Sequence, residues 1–209
     1  MKLEIGSGNN PTEGFEHLDI NPGAPHVEYV GDIRSLITED YNKNMNEDLM
    51  LLKHTKFECI KAVHFIEHIQ WIYQQSLLRL FYDMLEPNGT VYIETPDLKW
   101  IMLSYLKNRK KHRFPVEDHP DIKEDGNLLN FYQWVNFKLY SGCSPGDYHH
   151  CLYDKEFLNE MLNNAGFAKM SIKSNRGTIF CMAKKPATQE KGCNEDFYKS
   201  STKLPSWVR

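Results

Sequence analysis

A glycine turn and an acidic residue lie at the carboxyl ends of the first two predicted strands, at the edge of a sheet where ligands bind. The turn Gly6-Ser7-Gly8 comes directly after one apolar segment, and Asp19 ends the next. Glycines allow a sharp turn and let a ligand approach the backbone N–H groups. An acid at the end of the second strand can accept hydrogen bonds from both hydroxyls of a ribose. Together these residues predict a nucleoside-binding site.

The short spacing between the turn and the acid excludes a dinucleotide site. Such a site needs G-x-G-x-x-G, a full helix, and an acid about 20 residues further on. Here no third glycine follows at that spacing, and Pro11 to Gly14 leaves room for an extended crossover or one short turn. A pyrophosphate would lack the positive end of a helix dipole. The turn therefore suits a ligand with a ribose and without a diphosphate.

Alternating apolar and amphipathic segments indicate an α/β sheet with a final hairpin. The link Asn175-Arg176-Gly177 favours that hairpin, because Asn and Gly accept positive φ. Strands are predicted at Lys2–Ile5, Phe15–Ile20, Val27–Val30, Phe57–Phe65, Thr90–Thr95, Ala168–Ser174 and Thr178–Lys184, and helices at Ile69–Leu85, Leu98–Leu106 and Glu156–Ala165, the last capped by Asp154 and closed by Gly166.

Composition is that of a globular protein, with 209 residues, 41% hydrophobic and 25% charged. A net charge of −3 gives no general attraction to nucleic acid or to an acidic membrane. No apolar segment is long enough to cross a bilayer, and the amino terminus has no secretory pattern, so a cytoplasmic location is expected. The five cysteines form no C-x-x-C pair. They indicate a reducing compartment and neither a disulfide framework nor a cysteine zinc site.

Residues 1–185 are expected to form one domain, and residues 186–209 a polar tail. Within the domain, residues 107–151 are rich in charge, His, Pro and Gly, and include the aromatic run "FYQWVNFKLYSG". An insertion of this kind is typical of a substrate lid. The cluster "KNRKKHR", Lys107–Arg113, would bind an anionic acceptor or, as the preferred interpretation, form a solvated helix end.

Six segments resemble, in order, the motifs of class I S-adenosylmethionine-dependent methyltransferases: "LEIGSGN", "HLDIN", "VGDIRSL", "AVHFIEHI", "MLEPNGTVYIETPD" and "MLNNAGFAKMSI". The resemblance implies a Rossmann-like, doubly wound, mostly parallel seven-stranded sheet with a final antiparallel hairpin. It also implies S-adenosyl-L-methionine as methyl donor and S-adenosyl-L-homocysteine as product. In this chain the helix after the first strand is missing.

The resemblance also implies roles for the matched residues. Glu4 would order the turn and reach the methionine amino group, Asp19 would bind the ribose, and Asp32 the adenine. The alternative is that Asp19 and Asp32 only cap turns. The full cofactor-binding set is Glu4, Gly6, Ser7, Gly8, Asp19, Ile20, Asp32, Ile33, His64 and Phe65.

The short crossover resembles small methyltransferases found with glycosyltransferases in surface-glycan pathways. "NNPTEGFEHLD" and "DYHHCLYD" follow the patterns of that group. The resemblance implies O-methylation of a sugar hydroxyl on a glycan, with glycosyltransferase domains on the same polypeptide or pathway as partners. The usual helix before the first strand is missing as well, so the chain is expected to be a domain of a longer polypeptide.

A sugar hydroxyl is a weak nucleophile, so a general base is expected, and histidine has a suitable pKa. His149 is the preferred base and His150 the alternative, with Asp97 or Asp147 orienting the base or the acceptor. Four aromatic residues would stack on the sugar or else form the core of the lid: Tyr132, Trp134, Phe137 and Tyr140.

The segment "HFIEH", His64–His68, matches the H-x-x-E-H signature of zinc peptidases. Because His64 lies at a strand end, its side chain would not share a helix face with His68, which disfavours a peptidase. A lesser alternative is a divalent metal on Glu67, His68 and His149 or His150, resembling a site in some RNA 2′-O-methyltransferases. The preferred interpretation is that Glu67 and His68 cap the following helix and that no metal is bound.

Two other functions remain open. One is a methyltransferase for an RNA 2′-hydroxyl or another small molecule, and the other is a non-catalytic, cofactor-binding partner of a glycosyltransferase. DNA is not expected as an acceptor, because "HFIEH" lacks the Asn- or Asp-Pro-Pro-aromatic stretch of amino-methyltransferases acting on DNA.

Overall fold

The computed structural model describes residues 1–108, 135–136, 138–140 and 147–187. The strands are β1 (Lys2–Ile5), β2 (Glu16–Asp19), β3 (Tyr29–Val30), β4 (Phe57–Val63), β5 (Leu85–Pro96), β6 (Ala168–Asn175) and β7 (Thr178–Lys184). The α-helices are α1 (Glu47–His54), α2 (Gln74–Met84), α3 (Leu98–Asn108) and α4 (Lys155–Ala165). Short 3-10 helices span Ile33–Leu36, Glu39–Asn44, Ile66–His68 and Trp71–Tyr73.

The strands form one seven-stranded sheet in the order β3-β2-β1-β4-β5-β7-β6. The pairs from β3 to β5 are parallel, and β7 is antiparallel to both β5 and β6. The predicted mostly parallel α/β sheet with a final hairpin is confirmed. Between β1 and β2, residues 6–15 contain turns and no helix, as the short crossover predicts.

A continuous apolar core lies between the sheet and its helices, with buried leucine, isoleucine and phenylalanine side chains. The predicted cap of α4 is confirmed, since Asp154 accepts the Phe157 N–H. The helix ends at Gly166, whose φ of 100° permits its N–H to bond the Asn163 carbonyl. A Cβ at this glycine would lie 3.1 Å from the ring of Tyr82, so the glycine also permits close packing on α2.

Several boundaries differ from those predicted. β4 ends at Val63 because His64 takes a positive φ of 48°, which breaks the strand before Phe65. The α-helix expected from Ile69 begins at Gln74, after two 3-10 turns. α1 was missed because it is short and buries only Leu49 and Leu52. In the described ranges, no helix is both long and apolar enough to cross a membrane.

Candidate functional site

A cavity of about 600 Å³ opens at the carboxyl ends of the parallel strands, the edge where α/β sheets bind ligands. Because the sheet order is β3-β2-β1-β4, residues after β3 and after β4 lie at opposite ends of the cavity. Its lining residues are Ile5, Gly6, Gly8, Leu18, Asp19, Ile20, Gly31, Asp32, Ile33, Arg34, His64, Phe65, His68, Ile69, Asp147 and His150.

The turn after β1 forms the floor of this cavity. Gly6 has a φ of 70°, and a Cβ there would lie 2.4 Å from Cδ2 of Phe65. Glycine is therefore required for the backbone conformation and for the packing of Phe65. A Cβ at Gly8 would meet no atom within 4 Å, so the turn is open to a ligand on that side. Ser7 Oγ is buried without a hydrogen-bond partner in the described structure, and it is a free polar group for that ligand.

Asp19 lines the cavity and fixes the turn. Its Oδ2 accepts the Gly8 N–H at 2.9 Å, and its Oδ1 accepts the Asn21 N–H at 2.8 Å. The turn-capping interpretation of Asp19 is thus correct for this structure. It does not exclude ligand binding, because each carboxylate oxygen has a second lone pair.

Asp32 follows β3 and lies at the far end of the cavity, with its carboxylate bound by Arg34. Arg34 Nε lies 2.9 Å from Oδ1 and Nη2 lies 2.7 Å from Oδ2. The role of Arg34 was not predicted from the sequence. The spacing of an arginine two residues after an acid at a helix start could have indicated this ion pair. The arginine also stacks on Tyr41, with its Cζ 4.4 Å from the ring centre. The ion pair between Arg34 and Asp32 fixes the orientation of the Asp32 carboxylate.

Glu4 is buried behind the turn and does not line the cavity. Its oxygens accept the Thr12 N–H and hydroxyl, both at 2.7 Å, and pair with Lys61 Nζ at 3.0 Å. His17 Nε2 lies 3.5 Å away. Glu4 therefore ties the β1–β2 crossover to β1 and β4. Burial acts to raise the pKa of Glu4, but the bonds from Thr12 and Lys61 outweigh it and lower the pKa.

Replacing Glu4 with glutamine is expected to lower the free energy of unfolding by about 2–3 kcal/mol, because Lys61 loses its buried partner. A lowered pKa in the folded state means that ionised Glu4 stabilises the fold above its unfolded pKa. That stabilisation is lost as pH falls through the lower, folded pKa. Urea unfolding at several pH values should show that the free energies of unfolding of the wild-type and Glu4→Gln proteins converge below pH 4.5, the ordinary pKa of a glutamate. Glu13→Gln, at an exposed position in the same crossover, is the control. A difference in unfolding free energy between wild type and Glu4→Gln that stays constant down to acid pH would contradict the stabilising role of ionised Glu4.

At the β4 end, the cavity is lined by imidazole and carboxylate groups from His64, His68, Asp147 and His150. His149 does not line it. The His149 ring packs edge-on against His68, with centroids 5.0 Å apart, and its Nδ1 lies 3.2 Å from the Lys138 carbonyl. Burial lowers the pKa of His149, so its imidazole is neutral at pH 7. Of the two candidate bases, His150 is the one on the cavity wall.

Glu67 is fully buried between these histidines, and the expectation that Glu67 and His68 cap the next helix is wrong. Glu67 Oε1 lies 3.1 Å from His64 Nδ1, and His68 Nδ1 lies 3.2 Å from the Tyr148 carbonyl. At the N-cap position of α2, the side chain of Tyr73 makes no capping hydrogen bond in the described structure. The Glu67 carbonyl accepts the His150 N–H at 2.7 Å, which fixes the histidine pair against the 3-10 turn.

Asp97 is brought into a different environment from the other candidates. It is buried at the start of α3, where Oδ1 accepts the Trp100 N–H at 3.0 Å and Oδ2 accepts the Ser174 hydroxyl. Asp97 does not line the cavity. Tyr140 is exposed, and Trp134, Tyr132 and Phe137 lie outside the described residues, as does most of the expected lid.

The chain is similar to known proteins both in family and in fold. A family described as "Methyltransferase domain" matches residues 11–172. No curated protein matches the chain. A SAM-dependent methyltransferase from Archaeoglobus fulgidus has a similar structure, with 17% identity, a TM-score of 0.53, and coverage of 88% of this chain and 85% of that chain.

Two further solved structures resemble the chain more distantly. A possible histamine N-methyltransferase from Thermotoga maritima has 13% identity and a TM-score of 0.47, covering 88% of this chain and 81% of that one. Human N-acetylserotonin methyltransferase has 12% identity and a TM-score of 0.48, covering 88% and 47%. The Archaeoglobus structure shows the class I fold, and the family match supports S-adenosylmethionine as the methyl donor. The chain therefore belongs to the methyltransferase domain family and is a methyltransferase enzyme.

Proposed function

We propose that the chain transfers a methyl group from S-adenosylmethionine to a hydroxyl of a sugar or glycan. The observation that carries the proposal is the division of one cavity. Asp19 and Asp32 lie along its β2 and β3 side, and His68, Asp147 and His150 along its β4 side. The first set suits a nucleoside, and the second suits the acceptor hydroxyl.

The residues present fit the donor. A cavity of about 600 Å³ is in the size range of cofactor sites, which is roughly 300–1,000 Å³. Asp19 would bind the ribose hydroxyls, Gly6 and Gly8 would border the methionine portion, and Asp32 with the Ile33 backbone would bind adenine. When bound, S-adenosylmethionine supplies a methyl group on a positively charged sulfur.

The acceptor side must position a hydroxyl and remove its proton. His150 lines the cavity, and its backbone is fixed by the Glu67 carbonyl. In this proposal His150 takes the proton that the hydroxyl loses, and Asp147 accepts a hydrogen bond that orients the acceptor. Positioning does much of the work in such transfers.

The choice of a sugar rests on the sequence patterns "NNPTEGFEHLD" and "DYHHCLYD", which resemble those of glycan-pathway methyltransferases. Glycosyltransferase domains are the partners that this resemblance implies. An RNA 2′-hydroxyl or a small-molecule hydroxyl fits the same chemistry, and the acceptor experiment separates these classes.

The test is an acceptor panel in which formation of S-adenosylhomocysteine and of a product heavier by one methyl group is measured. Deoxysugar glycosides are expected to be methylated, whereas short RNAs and catechols are not. Turnover with RNA only would replace the sugar proposal with the RNA 2′-hydroxyl alternative. Turnover with a catechol only would replace it with the small-molecule alternative. Tight donor binding without turnover on any acceptor would instead favour the non-catalytic partner of a glycosyltransferase.

A further inference from the structure

Glu67, His68 and His149 bring metal-ligating atoms together beside the acceptor side of the cavity. One ligand atom from each of the three side chains lies within 4.8 Å of the other two. Glu67 and His68 come from the 3-10 turn after β4, and His149 comes from the segment before α4. The hydrogen bonds from the His150 and Cys151 N–H groups to the Glu67 carbonyl, at 2.7 and 3.1 Å, fix these two segments together.

Both histidines are oriented as metal ligands are. His68 Nδ1 lies 3.2 Å from the Tyr148 carbonyl, and His149 Nδ1 lies 3.2 Å from the Lys138 carbonyl. A carbonyl oxygen only accepts, so each Nδ1 carries the hydrogen. In the neutral ring this leaves the lone pair on Nε2. Histidines that bind metals donate their other ring N–H in this way, which fixes the tautomer and the ring orientation.

The Glu67 carboxylate has one oxygen without a protein partner. Oε1 lies 3.1 Å from His64 Nδ1, whereas Oε2 is buried with no hydrogen-bond partner in the described part of the chain. Leaving a buried acceptor unsatisfied costs roughly 1–3 kcal/mol, and more for a charged group. An ion pair between His64 and Glu67 does not remove this cost, because it uses the other oxygen. A cation at Oε2 does.

We propose that Glu67, His68 and His149 bind one divalent first-row transition-metal ion. Two neutral imidazoles and a carboxylate suit Zn²⁺ or Mn²⁺ better than Ca²⁺ or Mg²⁺, which prefer oxygen ligands alone. Ligands of one such ion lie at most about 4.2 Å apart, twice a bond length of about 2.1 Å. No two of the three ligand atoms lie more than 4.8 Å apart, so binding an ion requires at most a small inward movement of the side chains. Asp147 Oδ1, 3.7 Å from His68 Nε2, offers a further oxygen for the ion or its bound water.

The ion would border the cavity wall formed by His68, Asp147 and His150. An open coordination position there would bind the acceptor oxygen and make its hydroxyl easier to deprotonate. The proton would then pass to His150. This role rests on the proposed function, whereas binding of the ion does not.

The test uses the full chain, treated with a chelator and titrated calorimetrically with ZnCl₂ and separately with MnCl₂. One ion per chain is expected. Glu67→Gln, which keeps the side-chain shape, and His149→Ala each remove a ligand, so each is expected to weaken binding by at least the roughly 10–100-fold that loss of an outer-shell partner costs. His54→Ala, at an exposed position on α1, removes a histidine elsewhere and should leave the affinity unchanged.

Two results would overturn the proposal. One is wild-type affinity in a folded Glu67→Gln or His149→Ala protein, which would put the ion elsewhere. The other is no one-to-one binding of either ion to the wild-type chain. Thermal unfolding without metal shows whether each variant folds, and either variant alone is sufficient for the test. S-adenosylmethionine titration of the same metal-free samples separates the two proposals, since failure to bind the donor overturns the proposed function and leaves the ion site unaffected.

Discussion

Replacing Asp19 with alanine is expected to weaken S-adenosylmethionine binding at least about 100-fold. Asp19 lines the cavity, and its oxygens already accept two backbone N–H groups, which fixes their direction. Each hydrogen bond from a ribose hydroxyl to this carboxylate is worth roughly 1.5–3 kcal/mol, and 1.4 kcal/mol is about tenfold in affinity. The loss of two such bonds predicts the stated weakening.

Calorimetric titration with S-adenosylmethionine and S-adenosylhomocysteine measures this change. Asp19→Ala also removes the acceptors of the Gly8 and Asn21 N–H groups, so thermal unfolding must be recorded beside it. Asp19→Asn keeps the size and one acceptor oxygen, and distinguishes loss of the ligand bonds from loss of the turn. Glu13→Ala removes an equal charge from an exposed position in the same crossover. Unchanged donor affinity in a folded Asp19→Ala protein would exclude Asp19 as the ribose ligand.

The part of the cavity beside β1, β2 and β3 was predictable because it depends on strand order and turn chemistry. Gly6 follows β1 and Asp19 ends the adjacent parallel strand β2, so both residues had to lie at the same edge of the sheet once the strands were recognised. The same reasoning brought Asp32 and His64 to the cavity. Arg34 was missed because its contact is a side-chain pair that the strand pattern does not specify.

The part of the cavity beside β4 was less predictable because neighbouring residues in a loop point in directions that only the fold determines. His149 and His150 are adjacent, yet His150 lines the cavity and His149 packs behind it on His68. Asp97 follows a strand, as residues of such sites often do. Its carboxylate instead caps the start of α3 by accepting a hydrogen bond from a backbone N–H of that helix. Glu67 resembled a helix cap in sequence, and its burial between histidines depends on contacts with the distant residues 147–151.

His150→Ala is expected to lower the rate of methyl transfer about 100-fold or more, because a general base contributes roughly 10²–10⁴-fold. Donor affinity should change little, since the groups that would bind the nucleoside lie at the other end of the sheet edge. His149→Ala is also expected to keep donor binding and lose most turnover. The physical reason differs, because in the ion-site proposal His149 is a ligand and only His150 takes the proton.

Measuring turnover, donor affinity and Zn²⁺ affinity on both variants separates these two roles. His150→Ala should lose turnover and keep Zn²⁺, whereas His149→Ala should lose both. His54→Ala should keep all three, since its position is exposed on α1. Unchanged turnover in His150→Ala would exclude it as the base. If His149→Ala loses turnover but still binds Zn²⁺, His149 is not a ligand of the ion. The general base would then be His149, as the sequence analysis predicts.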